Sequence, residues 1–252
     1  MARFDSPCSP SGIVPRQKQL NKYLFALLFV LVFLAACEEG MRPLPSPRES
    51  AGSALDDRPR DEKDAKIVLT DLLERSRKQE FFVSYAMRVF AKGESQEGRL
   101  DLFVRGDDMR SDLEPNTTGK VLETRNFFVG GVPIGCINDG EWRCLRFPKA
   151  QIVSPAALLE HASVSSLRER LIAGAAARCF QVIVEDAEGR MVREACYSVE
   201  GVPLFVATSA SDGEMREEAT TYRIGGIPAD AFVPPAKPED APQELLSEEM
   251  KN

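Results

Sequence analysis

The sequence predicts an α+β domain: a curved antiparallel sheet, or half-open β-barrel, with an N-terminal helix and a short helical insert covering one face. Three observations predict this class. An amphipathic segment of helical period begins the domain, segments of period-two alternation follow it, and the loops between those segments are short. Strands joined by such loops must be antiparallel, because parallel neighbours need longer crossovers.

The first element of the domain is a helix, predicted over about residues 61–79. Ile67, Val68, Leu72 and Leu73 recur there at helical spacing among charged residues, the pattern of a helix with one buried stripe. Beyond the helix, the spacing of the apolar residues changes to two. The segments predicted as strands are FFVSYAMRVFA, GRLDLFV, DMRSDLE and GKVLETRNFFVGG, then CFQVIVED, RMVREACYSVE, VPLFVATSA and EEATTYRI.

The middle of the domain is predicted to hold one or two short helices between Pro155 and Ala177. Ser154 before Pro155 matches an N-cap with proline at the first helical position. Ser166 and Glu169 match the two ends of a capping box. These helices form the insert that we expect to pack on the sheet.

The charge balance argues against a nucleic acid as a partner. The whole chain carries a net charge of −7, and the residues after position 36 hold 28 basic against 38 acidic side chains. Such a surface repels a polyanion. The hydrophobic content of 43% is enough for a folded core.

The N-terminus has the composition of an export signal. An apolar run of thirteen residues extends from Leu24 to Ala36, short of the ~20 residues that a membrane-spanning helix needs. The residues before it carry four basic side chains against one acidic one, as in the n-region of a signal peptide. We therefore interpret residues 1–36 as a signal peptide.

The run ends at Leu34-Ala35-Ala36-Cys37, which resembles the bacterial lipobox. The resemblance implies that the Cys37 thiol receives a diacylglycerol and that cleavage makes Cys37 the new N-terminus. Two or three acyl chains, such as palmitate, at one site make a stable membrane anchor. A short signal anchor with an incidental cysteine, or a downstream start codon, are the alternatives.

The composition also divides the rest of the chain. Residues 37–60 are rich in proline, serine and charged residues without apolar periodicity, which predicts a flexible tether. Residues 61–233 form the predicted domain. Residues 234–252 again are acidic and proline-rich, and we expect a mostly disordered tail.

Four cysteines lie in the predicted domain: Cys136, Cys144, Cys179 and Cys196. An even number outside the cytoplasm indicates two disulfides, for which three connectivities are possible. Hairpin register favours 136–144 with 179–196, because each pair then lies directly opposite across two antiparallel strands. Four reduced core cysteines, or a zinc site, are the alternatives; the spacings are unlike those of zinc modules.

The sequence offers little for catalysis. His161 is the only histidine and is expected at the surface or the end of a short helix, although a Ser–His–Asp or Cys–His device would have to use it. No nucleophile elbow and no phosphate-binding glycine loop occurs. The acid pairs Asp107–Asp108 and Glu217–Glu218 are expected to be solvated. We predict no enzyme, no cofactor and no metal.

Residues 85–113 resemble the opening hairpins of the lipoprotein-carrier and lipoprotein-receptor superfamily of bacterial envelopes. The residues that carry the resemblance are Gly98, Leu100, Leu102, Phe103, Arg105, Gly106, Asp107 and Arg110, with a closing F-x-x-P at Phe232 and Pro235. The resemblance implies a half-open barrel whose apolar cavity binds acyl chains of lipoproteins or other lipids. It identifies no ligand-binding residue, and a lipid anchor favours a tethered binder or receptor over a soluble shuttle.

Two functions follow as hypotheses. In the first, a lipid-anchored extracytoplasmic domain, on the periplasmic or outer surface of a cell membrane, binds an apolar ligand: an acyl chain, a lipid or a lipoprotein. In the second, a structural or protein-interaction envelope lipoprotein has a filled core and no small-molecule ligand. Uptake of lipid by the purified protein discriminates between them. The sequence does not determine the oligomeric state.

Overall fold

The computed structural model describes residues 62–91, 93–116, 123–150, 154–186, 189–211 and 213–242. All of them belong to one compact unit, Leu34–Asn252. Its first described element is helix α1, Glu62–Lys78, with acidic residues in the first turn and basic residues in the last. Both placements complement the helix dipole, and the helix occupies the range that the apolar periodicity predicts.

Thirteen strands follow within the described residues, and they form one large curved sheet. Their bounds are β1 Glu80–Ala91, β2 Glu94–Arg105, β3 Asp108–Pro115, β4 Glu123–Val129, β5 Val132–Asn138, β6 Trp142–Arg146, β7 Ser163–Ser166, β8 Arg170–Ile172, β9 Ala175–Asp186, β10 Gly189–Tyr197, β11 Pro203–Ala210, β12 Gly213–Ile224 and β13 Glu239–Asp240. The strand order is β13-β6-β5-β4-β3-β2-β1-β12-β11-β10-β9-β7, and β8 pairs with β9 beside this path. Every pairing is antiparallel except that of β13 with β6. The predicted fold class, an open curved antiparallel sheet with few helices, is confirmed.

The two cysteine hairpins have the predicted registers. Cys179 faces Cys196 across β9 and β10, and Cys136 faces Cys144 across β5 and β6. Each pair is a disulfide, with Cα–Cα distances of 4.0 and 4.1 Å respectively. Directly opposed residues that do not share backbone hydrogen bonds lie about 4.5 Å apart between Cα atoms. The two disulfides join pairs that are slightly closer than this.

Of the one or two short helices predicted between Pro155 and Ala177, the structure has one. One helix of a single turn forms, α2, Pro155–Leu158, and the Ser154 hydroxyl caps it by accepting a hydrogen bond from the Ala157 N–H at 3.2 Å. The Ser166–Glu169 capping box does not form, since Ser166 instead ends β7 and pairs with β9. As an edge strand, β7 forms backbone hydrogen bonds with β9. The same pairing buries Val164.

The two faces of the sheet differ in what covers them. Residues opposite one another in the register share a face. The face on which α1 packs is called the helix face, and two of its rows run from β7 towards β2. The first row is Ser166, Phe180, Ala195, Val206, Glu217, Met87 and Gly98; the second is Val164, Val182, Arg193, Thr208, Met215 and Val89.

Helix α1 covers only the β7–β9–β10 end of the helix face. Its buried residues Ala65, Leu69 and Leu72 form one apolar cluster with side chains of these three strands, together with two residues that follow α2. The sheet members of that cluster are Val164, Phe180, Ala195 and Tyr197, and the residues after α2 are Leu159 and Ala162. The stripe at positions i, i+4 and i+7 therefore determines where the helix lies.

The segment predicted as a tail begins with residues that pair with the sheet. Glu239–Asp240 forms β13 along the edge of β6, and the Asp240 carboxylate accepts a hydrogen bond from Arg146 Nε at 2.8 Å. This pairing satisfies backbone groups at the β6 edge of the sheet. Residues 243–252 lie outside the described residues, as do residues 1–61 with the predicted signal peptide, Cys37 and the tether.

One glycine permits the close approach of α1 to the β10–β11 turn. Gly201 has φ +90°, and a Cβ at this position would overlap the carbonyl oxygen of Leu72 and approach the backbone nitrogen of Ser76 to 2.8 Å. Both atoms belong to the backbone of α1, so neither moves without shifting the helix.

We therefore expect Gly201→Ala to lower the free energy of unfolding by about 2–4 kcal/mol, the cost of a left-handed alanine together with overpacking. Gly174→Ala is the matched control, since Gly174 also has a positive φ, +80°, but nothing lies within 4 Å of its added Cβ. Urea unfolding of both variants measures the difference. Equal losses would show that the contact with α1 is not tight.

Candidate functional site

The structure does not bring the site residues predicted from the sequence together into one site. Cys37 lies outside the described residues, and both disulfides join neighbouring strands. His161 is exposed in the turn after α2. Within the described ranges, no group of three or more His, Cys, Asp or Glu side chains is placed to hold a metal ion, and no helix is long and apolar enough to cross a membrane.

The two motifs that resemble the carrier superfamily meet on the face opposite α1, the outer face. The Arg105 guanidinium stacks over the Phe232 ring at 4.5 Å. Arg110 Nη1 donates a hydrogen bond to the Ala231 carbonyl at 2.9 Å and stacks over Phe103 at 4.9 Å. Cation–π contacts of this kind stabilise the fold by joining the β2–β3 hairpin to the C-terminal 3₁₀ turn, Ala229–Phe232. The motif residues therefore have a structural role here.

The candidate site is the part of the helix face that α1 leaves uncovered. All four methionines of the described residues lie on this face: Met87, Met109, Met191 and Met215. Each is half-buried, and none belongs to the apolar clusters of the core. Unbranched, polarizable side chains of this kind adapt to apolar partners of varied shape.

A group of polar side chains lies among these methionines. Glu217 is opposite Met87 and Val206, and Thr208 is opposite Met215 and Arg193. The Thr208 side chain is 2% exposed, and its hydroxyl oxygen has no hydrogen-bond partner. A buried hydroxyl without a partner costs stability, which makes Thr208 a candidate for contact with a ligand.

Two tyrosines border the group. The Tyr85 hydroxyl donates a hydrogen bond to the Pro203 carbonyl at 2.7 Å. Burial raises the pKa of Tyr85 well above its usual value, and the nearby Glu217 raises it further. Burial likewise raises the pKa of Tyr197. Both phenols are therefore neutral at physiological pH.

The Glu217 carboxyl is the unusual titratable group of the site. Desolvation raises its pKa from 4.5 to about 7, and the positive charge of Arg193 offsets part of this effect. A carboxyl of this kind changes protonation near neutral pH, as functional carboxyls in apolar surroundings do.

The expectation that Glu217 and Glu218 form a solvated acid pair is therefore wrong for Glu217. The two side chains point to opposite faces of β12. Glu218 accepts a hydrogen bond from Arg216 at 2.6 Å on the outer face, whereas Glu217 lies on the helix face between Met215 and Ala219. The alternation of β12 contains this signal, because Met215, Glu217 and Ala219 are two residues apart.

Two grooves flank α1, with volumes of about 310 and 320 Å³. The first is lined by Val68, Asp71, Leu72, Arg75, Arg178 and Val199, and the second by Asp64, Ile67, Val68 and Ser166. Neither lining includes a methionine of the helix face, Glu217 or Thr208. The grooves are therefore separate from the candidate site.

No protein-family model and no curated protein matches the sequence. Solved structures similar to this chain include MucB, at 19% identity and a TM-score of 0.49, over 70% of this chain and 64% of that one. They also include a LolA superfamily protein from Nitrosomonas europaea, at 12% identity, TM-score 0.35, over 66% and 97% of the two chains. A third is the Mycobacterium tuberculosis lipoprotein LppX, at 11% identity, TM-score 0.44, over 65% and 99%. The chain thus spans less than two thirds of the MucB chain.

The raised pKa predicts how stability depends on pH. The folded protein holds the Glu217 proton up to about pH 7 and the unfolded chain only to about 4.5, so the native state binds more protons between these values. The stabilisation is complete below pH 4.5 and is lost as the pH rises to 7, by about 3 kcal/mol. Glu217→Gln should remove this decline, giving a variant more stable than the native protein at pH 8. Urea unfolding at several pH values measures this. The same loss of stability with rising pH in the native protein and in Glu217→Gln would contradict the prediction.

Proposed function

We propose that the protein is a lipid-anchored extracytoplasmic binder whose helix face takes up an apolar ligand such as an acyl chain, a lipid or the lipid part of a lipoprotein. The observation that carries the proposal is a set of half-buried methionines on the helix face, Met87, Met191 and Met215. We call this surface the methionine floor, and α1 does not cover it. The lipobox resemblance at Cys37 supports the anchor, and the superfamily resemblance of the β2–β3 hairpin supports the ligand class.

The methionine floor matches an acyl chain in its chemistry. Met87 and Val89 on β1 lie beside Met215 on β12, and Met191 on β10 continues the apolar surface towards α1. Burying such surface against a hydrocarbon chain gains about 25 cal/mol per Å². In the competing function, a protein-interaction lipoprotein with a filled core, these side chains would contact only other parts of the protein.

Native mass spectrometry of the full-length chain tests ligand uptake. The chain is exported to an oxidising compartment and purified in a fluorinated surfactant, which does not mix with hydrocarbon chains. We expect co-purified lipid, or stoichiometric uptake of an added fatty acyl ester. Met87→Lys should reduce uptake by at least tenfold, because a charge on the floor opposes burial of the chain.

The matched control is Ala86→Lys, which adds the same charge one residue earlier on the exposed outer face of β1. This variant should bind as the native protein does. A clean apo mass with no uptake of added ester would contradict ligand binding and favour the filled-core function.

The anchor is tested separately by metabolic labelling with radioactive palmitate. We expect label on the native protein and none on Cys37→Ser, because the thiol is the proposed site of acylation. The variant should also change its distribution between membrane and soluble fractions. Equal labelling of the two proteins would show that Cys37 is not the lipidated residue.

A further inference from the structure

Glu217 and Thr208, together called the Glu217 group, are polar side chains that lie beside the half-buried Met87 and Met215 on the helix face. Thr208 and Glu217 are on neighbouring strands and on the same face, as diagonal neighbours two residues apart in the register. Such neighbours lie about 7–8 Å apart, so one small polar group fits between them. Met215 is directly opposite Thr208, and its flexible side chain can move aside to expose the hydroxyl.

The groups that face Glu217 come from the neighbouring strands β10, β1 and β11. Strand β10 contributes Arg193 and Tyr197, β1 contributes Tyr85, and β11 contributes only the uncharged Val206 and Thr208. The residues that α1 buries are all apolar. Within the part of the chain that the structure describes, Arg193 is the cation whose charge acts on Glu217, and it offsets only part of the desolvation.

We propose that this group recognises the neutral carbonyl head of an esterified acyl chain, with the carbonyl oxygen accepting hydrogen bonds from the Thr208 hydroxyl and from the protonated carboxyl of Glu217. A carbonyl oxygen has two lone pairs and accepts both bonds. The inference rests on the proposed function, since it assigns the head of the ligand whose chain covers the methionine floor.

Two consequences distinguish this arrangement from a purely apolar surface. Covering Glu217 with a ligand removes it further from water, so binding favours the protonated carboxyl and weakens as the carboxyl ionises. At a pH where Glu217 is ionised, a free fatty-acid anion would place a second negative charge beside it with no proton for the two carboxylates to share. Ester and anion with the same chain should therefore bind unequally.

The test uses the full-length chain in a fluorinated surfactant and two probes, dansylaminoundecanoic acid and its glycerol monoester. Fluorescence titration gives the dissociation constant of each probe at pH 6.0, 7.0 and 8.5. We expect the ester to weaken about tenfold from pH 6.0 to 8.5, which corresponds to a one-unit rise of the carboxyl pKa on binding. At pH 8.5 the acid should bind at least tenfold more weakly than the ester.

Three variants test whether the pH dependence of ester binding comes from Glu217 and the affinity in part from Thr208. Glu217→Gln should bind the ester with a dissociation constant that changes less than twofold over the same pH range. Glu214→Gln removes a carboxylate from the outer face of the same strand and should retain the native pH profile. Thr208→Val should weaken the ester severalfold at every pH without changing the slope.

The results that would overturn the inference are distinct from those that would overturn the proposed function. Uptake of the ester that is independent of pH, a native profile in Glu217→Gln, or an anion bound as tightly as the ester at pH 8.5 contradicts the assigned head site and leaves acyl binding in place. No uptake of either probe at any pH contradicts both. A circular-dichroism melt of each variant establishes that it is folded before titration.

Discussion

The packing of α1 against one end of the sheet is the constraint on which the candidate site depends. Ala65, Leu69 and Leu72 are buried against β7, β9 and β10, and Gly201 permits the backbone of α1 to approach the β10–β11 turn. Away from α1, the helix-face residues Phe81, Val83 and Tyr85 of β1 are buried in a second apolar cluster. Farther along the same face, Met87 and Met215 remain half-buried, and they give the sheet an apolar surface that α1 does not cover.

Within this surface the polar groups have unequal environments. Arg216 and Glu218 pair on the outer face of β12, where water solvates both. One residue away, Glu217 faces apolar side chains, and desolvation dominates over the attraction of Arg193. The two adjacent glutamates thus have different surroundings because the pleat directs their side chains to opposite faces, and only on the helix face does burial raise the pKa of the carboxyl, that of Glu217. The helix face beside α1 is therefore mostly apolar, with its polar side chains gathered around Glu217.

Much of the fold follows from local patterns that the sequence displays. Short loops and period-two alternation were sufficient for the registers of both cysteine hairpins, because a hairpin closes locally and leaves few alternatives. The capping box at Ser166 and Glu169 was predicted wrongly: both residues have capping chemistry, but the burial of Val164 against β9 outweighs it. The raised pKa of Glu217 was not predicted, because it depends on which strands surround β12. β12 pairs with β1, the first strand of the domain. A pairing between strands so far apart in the sequence cannot be predicted from local patterns.

The central claim is that the helix face, between α1 and β2, holds the acyl chain. Photo-crosslinking measures this directly: the full-length chain is irradiated with an acyl ester that carries a diazirine on its chain, and the labelled peptides are identified by mass spectrometry. The expected labels fall on the segments that contain Met87, Met191 and Met215, and an excess of unlabelled ester removes them. Labelling confined to exposed residues of the outer face, such as Phe90, or labelling that unlabelled ester does not reduce, would contradict the claim.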